Sequence, residues 1–282
     1  PQVLKEAKYI ATSGRPGPVL IDIPKDILNQ KSDWIEPGPL ELPGYKPTLD
    51  PNPKMIQQAA NLIKNSKKPI LYVGGGIIHS KANKELFDLA TKFNIPVVTT
   101  LMGRGAFPDG HELCLEMPGM HGNYTATTSI QKSDLLIAIG VRFDDRVTAN
   151  PSFFAQNAKV IHADIDPAEI GKVREAQVPI VGDAKSVILG LIDALQDEEL
   201  DTKNWINELN SMKTEHPLSY DQDENGPLKV PFVLEELQDL TEDGAIVVSG
   251  VGQHQMWISQ HWNFTEPNTC LLYTSDAADD RS

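Results

Sequence analysis

From residue 54 to about 195 the chain alternates short apolar runs with longer stretches in which apolar residues recur every three or four positions. The runs Ile70-Leu-Tyr-Val73, Val97-Val-Thr-Thr100, Leu135-Leu-Ile-Ala-Ile139, Val160-Ile-His-Ala-Asp-Ile165 and Val178-Pro-Ile-Val181 carry apolar residues on both faces, the pattern of strands buried from both sides. Three sets of residues fall on single helical faces: Ile56, Ala59, Ala60 and Ile63; Leu86, Leu89, Ala90 and Phe93; Val187, Leu191 and Leu195. Short buried strands alternating with longer helices predict an α/β domain, a doubly wound parallel sheet with helices on both faces. Pro179 lacks an amide hydrogen, so its strand belongs at an edge.

Outside this region the alternation breaks. Leu4, Ala7, Ile10 and Ala11 share a helical face within Gln2 to Ser13, Gly14 suits the cap of that helix, and Pro18-Val-Leu-Ile-Asp-Ile23 reads as a buried strand. Residues 31–53 hold Pro37, Pro39, Pro43, Pro47, Pro51 and Pro53 with Gly38 and Gly44, which predicts an extended linker. An acidic, polar second linker is expected over 197–229. Beyond it Pro231 opens a helix carrying Phe232, Leu234 and Leu237, and Ala245-Ile-Val-Val-Ser249 reads as a buried strand. The expected organisation is therefore the end of one α/β unit (1–30), a linker (31–53), a central dinucleotide-type domain (54–196), a linker (197–229) and the start of a third unit (230–269). Residue 1 is not Met, and both outer units are expected to be partial, with apolar faces uncovered. Cys270 to Ser282 continues no earlier periodicity and is expected to be a non-native tail.

Charge narrows the ligand. The net charge of −14 opposes non-specific binding to nucleic acid, so any anion must be held by local donors. No apolar run is long enough for a membrane span. Cys114 and Cys270 are the only cysteines and lie far apart in sequence, and the seven histidines are scattered, which supports neither a disulfide framework nor a metal site.

The residues that could do chemistry cluster after the strands, where parallel sheets place their ligands. Gly74-Gly75-Gly76 follows the first and offers bare amides to a phosphate, although His79 stands where the dinucleotide fingerprint has its third glycine; a tight turn is the competing reading. Thr100-Leu-Met-Gly-Arg-Gly105 follows the second strand, and Pro118-Gly-Met-His-Gly122 precedes the third. Gly140-Val-Arg-Phe-Asp-Asp-Arg-Val147 follows the third with two guanidinium groups and two carboxylates. Asp164 and Asp166 close the fourth and can accept hydrogen bonds from ribose or ribityl hydroxyls; Gly182-Asp183 closes the fifth. One elongated ligand lying across the sheet edge, a flavin or nicotinamide dinucleotide, takes in all of them. Ser249-Gly-Val-Gly-Gln-His254 runs from strand to helix, as a diphosphate site or a plain capped helix start. Arg15 and Lys25 flank the 18–23 run as possible phosphate, flavin or carboxylate partners.

Read together, Ser13-Gly-Arg-Pro-Gly-Pro-Val-Leu-Ile-Asp-Ile-Pro-Lys-Asp26, Gly74-Gly-Gly76, Thr100-Leu-Met-Gly103, Gly119-Met-His-Gly122, Gly140 to Thr148, Asp164-Ile-Asp166 and Val251-Gly-Gln-His-Gln-Met-Trp257 closely resemble the large catalytic subunits of the acetolactate synthase family over residues 1–269. That resemblance implies condensation of two 2-keto acids with decarboxylation, using thiamine diphosphate, on the route to valine, leucine and isoleucine. It implies FAD in the central domain in a structural role. Flavin contacts would come from Arg15, Gly75, Thr100, Leu101, Met102, Gly103, Pro118, Gly119, Met120, His121, Gly140, Val141, Arg142, Phe143, Asp144, Asp164, Ile165, Asp183 and Ala184. Gln253 and His254 would touch the thiamine diphosphate, and Lys25 and Arg146 would line the substrate entrance. The family's catalytic glutamate and its Mg2+ motif belong outside this stretch, since Asp243-Gly244 stands before a strand; the chain is thus expected to be an internal fragment, inactive alone, with no catalytic or metal residue of its own. Arg104, Ala149-Asn150 and Val173-Arg-Glu-Ala176 depart from the family pattern. The resemblance further implies a homo-oligomer, dimer or tetramer, with a regulatory small subunit, in the cytoplasm or in a plastid or mitochondrion. Competing readings are another thiamine-diphosphate enzyme of pyruvate oxidase or glyoxylate carboligase type, or a non-catalytic nucleotide-binding module.

Overall fold

The computed structural model describes residues 1–223, 225–241 and 244–272, beginning with helix α1 (Gln2–Thr12). It ends where Gly14 turns left-handed (φ +59°), a conformation open to glycine at little cost. The expected buried strand over 18–23 does not form. The segment pairs with no strand among the described residues, and Leu20 is 93% exposed. Apolar, β-branched composition makes a strand only where a neighbour accepts its hydrogen bonds, and none of the described residues does so here. A single turn, α2 (Lys25–Leu28), comes next, and residues 31–52 form neither helix nor strand, as their prolines require.

The central region keeps closely to its pattern. Helix α3 (Pro53–Asn65) starts on the Asn52 side chain, which accepts from the Lys54 N–H at 2.9 Å, and buries Ile56, Ala59, Ala60 and Ile63. Then come β1 (Pro69–Val73), the short α4 (Gly75–His79), α5 (Asn83–Phe93) and β2 (Val97–Thr99). Helix α6 (Tyr124–Lys132) leads to β3 (Leu135–Ile139), the single-turn α7 (Asp145–Thr148), β4 (Lys159–Asp164), β5 (Val178–Val181) and α8 (Ala184–Ala194). The five strands are all parallel, in the order β2-β1-β3-β4-β5. Leu71, Val73, Ile137, Ile139 and Ile161 point to the face covered by α3, α5 and α8; Ile70, Tyr72, Leu136, Ala138 and Val160 point to the other. β5 is an edge strand, where the ring of Pro179 displaces no ladder partner.

The second face needs a cover that composition concealed. Within the stretch expected as a polar linker, α9 (Lys203–Glu215) buries Trp205, Leu209 and Met212 against this face beside α6. The Trp205 indole N–H donates to the Pro69 carbonyl at 3.2 Å. Three apolar anchors at positions four and three apart suffice for a docked helix, whatever the charge of the remaining residues. Beyond it lie α10 (Val230–Leu240), β6 (Val247–Ser249), α11 (Gln253–His261) and β7 (Cys270–Leu272). β7 pairs in parallel with β6, so the first three residues of the expected tail belong to a sheet; residues 273–282 lie outside the described residues. No helix among the described residues is long and apolar enough to cross a membrane.

A buried ion pair joins this last unit to the central domain. Arg104 and Asp109, 1% and 0% exposed at the side chain, meet through two hydrogen bonds of 2.8 and 2.6 Å. The carboxylate also accepts the Phe264 N–H at 2.7 Å, and the guanidinium lies 5.4 Å from the Phe264 ring centroid. Burial pushes the Asp109 carboxyl up to about 6, and the guanidinium opposes that shift, so the pair is charged at neutral pH. Removing one partner strands the other. We expect Arg104→Met to cost about 3–5 kcal/mol in urea unfolding, and Arg104→Met combined with Asp109→Leu to cost less than Arg104→Met alone. A single variant within about 1 kcal/mol of the parent would contradict this account of the junction.

Candidate functional site

The strand order reverses direction at the β1/β3 pair: the chain leaves β1 toward β2 and returns on the far side as β3. Connections on the two sides diverge there, opening the crevice that open α/β sheets use for ligands. The turns bounding it touch backbone to backbone. Gly74 N–H donates to the Ile139 carbonyl (3.3 Å) and Gly76 N–H to that of Gly140 (3.2 Å). A Cβ on Gly76 would stand 2.5 Å from the Gly140 Cα, and one on Gly74 2.5 Å from the Gly140 oxygen. Gly140 itself is left-handed (φ +62°). Gly103 is also closely packed, its Cβ position 2.9 Å from the Val73 oxygen. The glycine run read as a phosphate cradle is therefore first a closure between turns, and of its three amides only that of Gly75 donates to no described acceptor.

The turn after β3 presents charge on a buried base. Val141 and Phe143 are buried and Arg142, Asp144 and Arg146 are exposed, so the side chains of Val141 and Phe143 serve the core while the charged side chains of the turn point to solvent. Asp144 starts α7 by accepting the Arg146 N–H at 3.1 Å; its exposed pairing with Arg142, at 3.5 Å, is weak. The carbonyl of Arg146 accepts the Met120 N–H at 2.9 Å, and Gly119 (φ +98°) packs against Arg146 and Val147. This brings Pro118, Gly119, Met120 and His121 onto the turn carrying Arg146. Met102 and Met120 are both exposed there.

At the end of β4, Asp164 is buried; desolvation raises its carboxyl above the ordinary range, and the Asp166 N–H partly compensates at 2.9 Å. Ile165, next in the chain, is half-buried. Arg15 reaches this edge and pairs with Asp166 (3.2 Å) and Glu169 (2.9 Å), so its guanidinium is satisfied by two carboxylates. Asp183 caps α8, accepting from the Lys185 and Ser186 N–H groups and from the Ser80 hydroxyl at 2.7 Å, and Ala184 is buried behind it. Both therefore hold the end of β5 in place before they can meet a ligand. Gln253 and His254 open α11, with the His254 ring folded against Gly250 and Gly252. Gln260 of the same helix donates to the His121 carbonyl at 2.8 Å, tying α11 to the 118–122 loop. Lys25 lies on the exposed α2 and makes no ion pair among the described residues.

The edge has the donors that an anionic dinucleotide requires. The N–H groups of Gly75, Leu101, Met102 and the run Val141 to Asp144 donate to no acceptor among the described residues. Unpaired amides grouped at one sheet edge call for acceptors from a ligand or solvent. No three His, Cys, Asp or Glu side chains come together to hold a metal among the described residues. Sequence reasoning missed three contributors: the Arg104–Asp109 junction, Gln260, and His162, whose Nε2 lies 2.9 Å from the Val141 carbonyl. The signal for His162 was present, a polar residue in the middle of an apolar run.

Residues 56–191 match the family described as thiamine pyrophosphate enzyme, central domain. The chain is 51% identical over 275 residues to an acetolactate synthase of Mycobacterium leprae, covering 96% of this chain and 44% of that protein. It is 49% identical over 274 residues to an acetolactate synthase large subunit of Corynebacterium glutamicum, again 96% and 44%. With a chloroplastic acetolactate synthase of Nicotiana tabacum the identity is 45% over 279 residues, 96% and 41%. The chain thus spans less than half the length of these relatives.

Burial lowers the His162 imidazole, and its contact with the Val141 carbonyl only partly opposes this. A folded value below the ordinary one near 6.5 means that the folded state binds fewer protons, so His162 loses stability for the fold as pH falls below about 6.5. Asp109 and Asp164, raised instead, act in the opposite sense. The difference between parent and His162→Gln isolates the histidine. We expect the parent's unfolding free energy to fall relative to the variant's by up to about 1.4 kcal/mol per pH unit below 6.5, and a pH-independent difference would refute the neutral buried histidine.

Proposed function

From the premise that this chain belongs to the acetolactate synthase family of thiamine-diphosphate enzymes, we propose that it forms the middle of an enzyme that condenses pyruvate with pyruvate or 2-ketobutyrate, releasing carbon dioxide, in branched-chain amino acid synthesis. The observation that carries this reading is the edge where the ends of β1, β2 and β3 bring together Arg146 and seven amides that donate to no acceptor among the described residues, inside the residues matching the central domain. In this reading residues 1–30 close the preceding pyrimidine-binding domain, 54–196 hold FAD, and 230–269 open the diphosphate-binding domain. The mycobacterial, corynebacterial and tobacco relatives are all acetolactate synthases, which favours this assignment over an oxidase, a glyoxylate carboligase or a nucleotide sensor.

The residues present suit FAD. Free amides at the ends of β1, β2 and β3 would meet its phosphate oxygens, and Asp164 would accept from a ribose or ribityl hydroxyl. Arg15 would then exchange part of its pairing with Asp166 and Glu169 for the flavin. Gln253 and His254, at the start of α11, would donate to the thiamine diphosphate. When bound, thiamine diphosphate supplies the carbanion and the electron sink. The chain's own part is to bind, orient and keep water out. Arg146 binds the keto-acid carboxylate through its planar fork, and Lys25 adds charge at the entrance. Exposed Leu20, Trp34, Ile35, Leu240 and Ile246, all outside the matched central domain, form surface for the rest of the synthase, a second copy or a regulatory small subunit to cover. A location in the cytoplasm, or in a plastid or mitochondrion, completes the proposal.

In the full-length protein containing this chain, acetolactate formation from pyruvate is the first readout, and its absence would overturn the assignment. Arg146→Ala should raise the pyruvate KM at least about tenfold, a loss of about 1.4 kcal/mol of binding, with a smaller change in kcat. An unchanged KM would remove Arg146 from substrate binding.

A further inference from the structure

We infer that His162, Phe143 and Tyr72 form a buried positioning unit that sets the turn 140–146 and so aims Arg146 and the flavin-facing amides, an inference that rests on the proposed synthase function. The sheet register puts Tyr72, Ala138 and His162 in one row across β1, β3 and β4, on one face, with the small alanine in the middle. The ring of Phe143 packs on both ends of that row, 5.7 Å from Tyr72 and 4.9 Å from His162 between centroids, with Phe154 at 6.1 Å. Phe143 reaches this place only by adopting φ +53°, left-handed and unfavourable for a side chain of its size, and its burial to 2% exposure holds it there.

Phe143 in turn fixes the residues after it. Asp144 caps α7 at the Arg146 N–H, and the Arg146 carbonyl takes the Met120 N–H. A shift of the ring therefore moves both crevice loops together. The core grips the same turn a second time through His162, whose Nε2 must carry the proton because a carbonyl only accepts. Packing alone does not explain the choice of residues. His162 Nδ1 and the Tyr72 hydroxyl are buried without a partner among the described residues; phenylalanine at 72 would leave nothing unsatisfied, and leucine at 162 would remove the orphaned Nδ1 but also the donor to the Val141 carbonyl. The Asp144 carboxylate also bears on the buried Tyr72 phenol, adding to the upward shift that burial imposes, which puts that hydroxyl within electrostatic reach of the turn.

The test uses the full-length synthase and two readouts, FAD affinity by flavin fluorescence and steady-state kinetics with pyruvate. His162→Leu should still fold, with a thermal midpoint close to the parent's, because leucine loses the donor to the Val141 carbonyl but leaves no buried imidazole nitrogen without a partner. It should nonetheless weaken FAD binding and raise the pyruvate KM at least about tenfold each, with kcat changed less than about threefold. His162→Gln, which keeps an N–H donor, should recover most of both losses. A role in stability alone would make affinity follow the thermal midpoint and would give no rescue by glutamine. The inference is overturned if His162→Leu retains parental affinity and KM, or if glutamine and leucine behave alike. Should His162→Leu not fold, Phe143→Leu decides through the same KM: a tenfold rise supports the unit and a parental value overturns it. A parent that binds no FAD would count against the flavin reading, while the KM comparison would still judge the positioning unit.

Discussion

The close approach of the turns after β1 and β3 is the constraint on which the rest of this structure depends. With Gly76 and Gly140 in contact through their backbones, no side chain can separate the two central strands at their carboxyl ends. The reversal of strand order opens a crevice at that place, and the glycine contact decides how narrow its floor is. Gly103 brings the turn after β2 onto the same floor, so three strand ends act as one rigid rim. Alanine at position 140 would meet both the left-handed backbone and a contact of 2.6 Å, and neither could relax without moving β1 or β3.

On that rim, an acidic protein with net charge −14 can still hold an anion. It would do so through backbone dipoles and a few placed cations. The amides of residues 141–144 are fixed by the fold and need no charged side chain, while Arg142 and Arg146 add positive charge without being tied into strong pairs. Rigidity comes from below, from Phe143 and His162, and from the side, where Arg104, Asp109 and Phe264 fasten the last unit to the loop that succeeds Gly103. The residues proposed to face a ligand and the residues that hold them are thus largely different sets.

That separation explains what the sequence disclosed. Helical faces such as Ile56, Ala59, Ala60 and Ile63, and an edge position for Pro179, arise from local periodicity and local backbone chemistry, and the structure shows both. The clustering of candidate residues was legible because all strands are parallel, which carries every strand end to one edge. Features that depend on distant partners were not. The run 18–23 has strand composition without a neighbour, and α9 docks through three residues in a stretch whose average is polar. Gly74 and Gly76 carry the signature of a phosphate turn but spend their amides on β3 and the turn after it. Asp183 looks like a ligand-binding acid and serves as a helix cap. For the run 18–23, α9 and the glycine turn the deciding partner lies far away in sequence, whereas Asp183 is held both by the neighbouring Lys185 and Ser186 amides and by the distant Ser80 hydroxyl.

Amide hydrogen exchange of this chain with and without FAD tests the central claim most directly. The account predicts that the amides of Val141, Arg142, Phe143 and Asp144, free of acceptors among the described residues, become strongly protected when FAD is added, while strand amides already in the sheet change little. Exchange at those four positions that is indifferent to saturating FAD would contradict it.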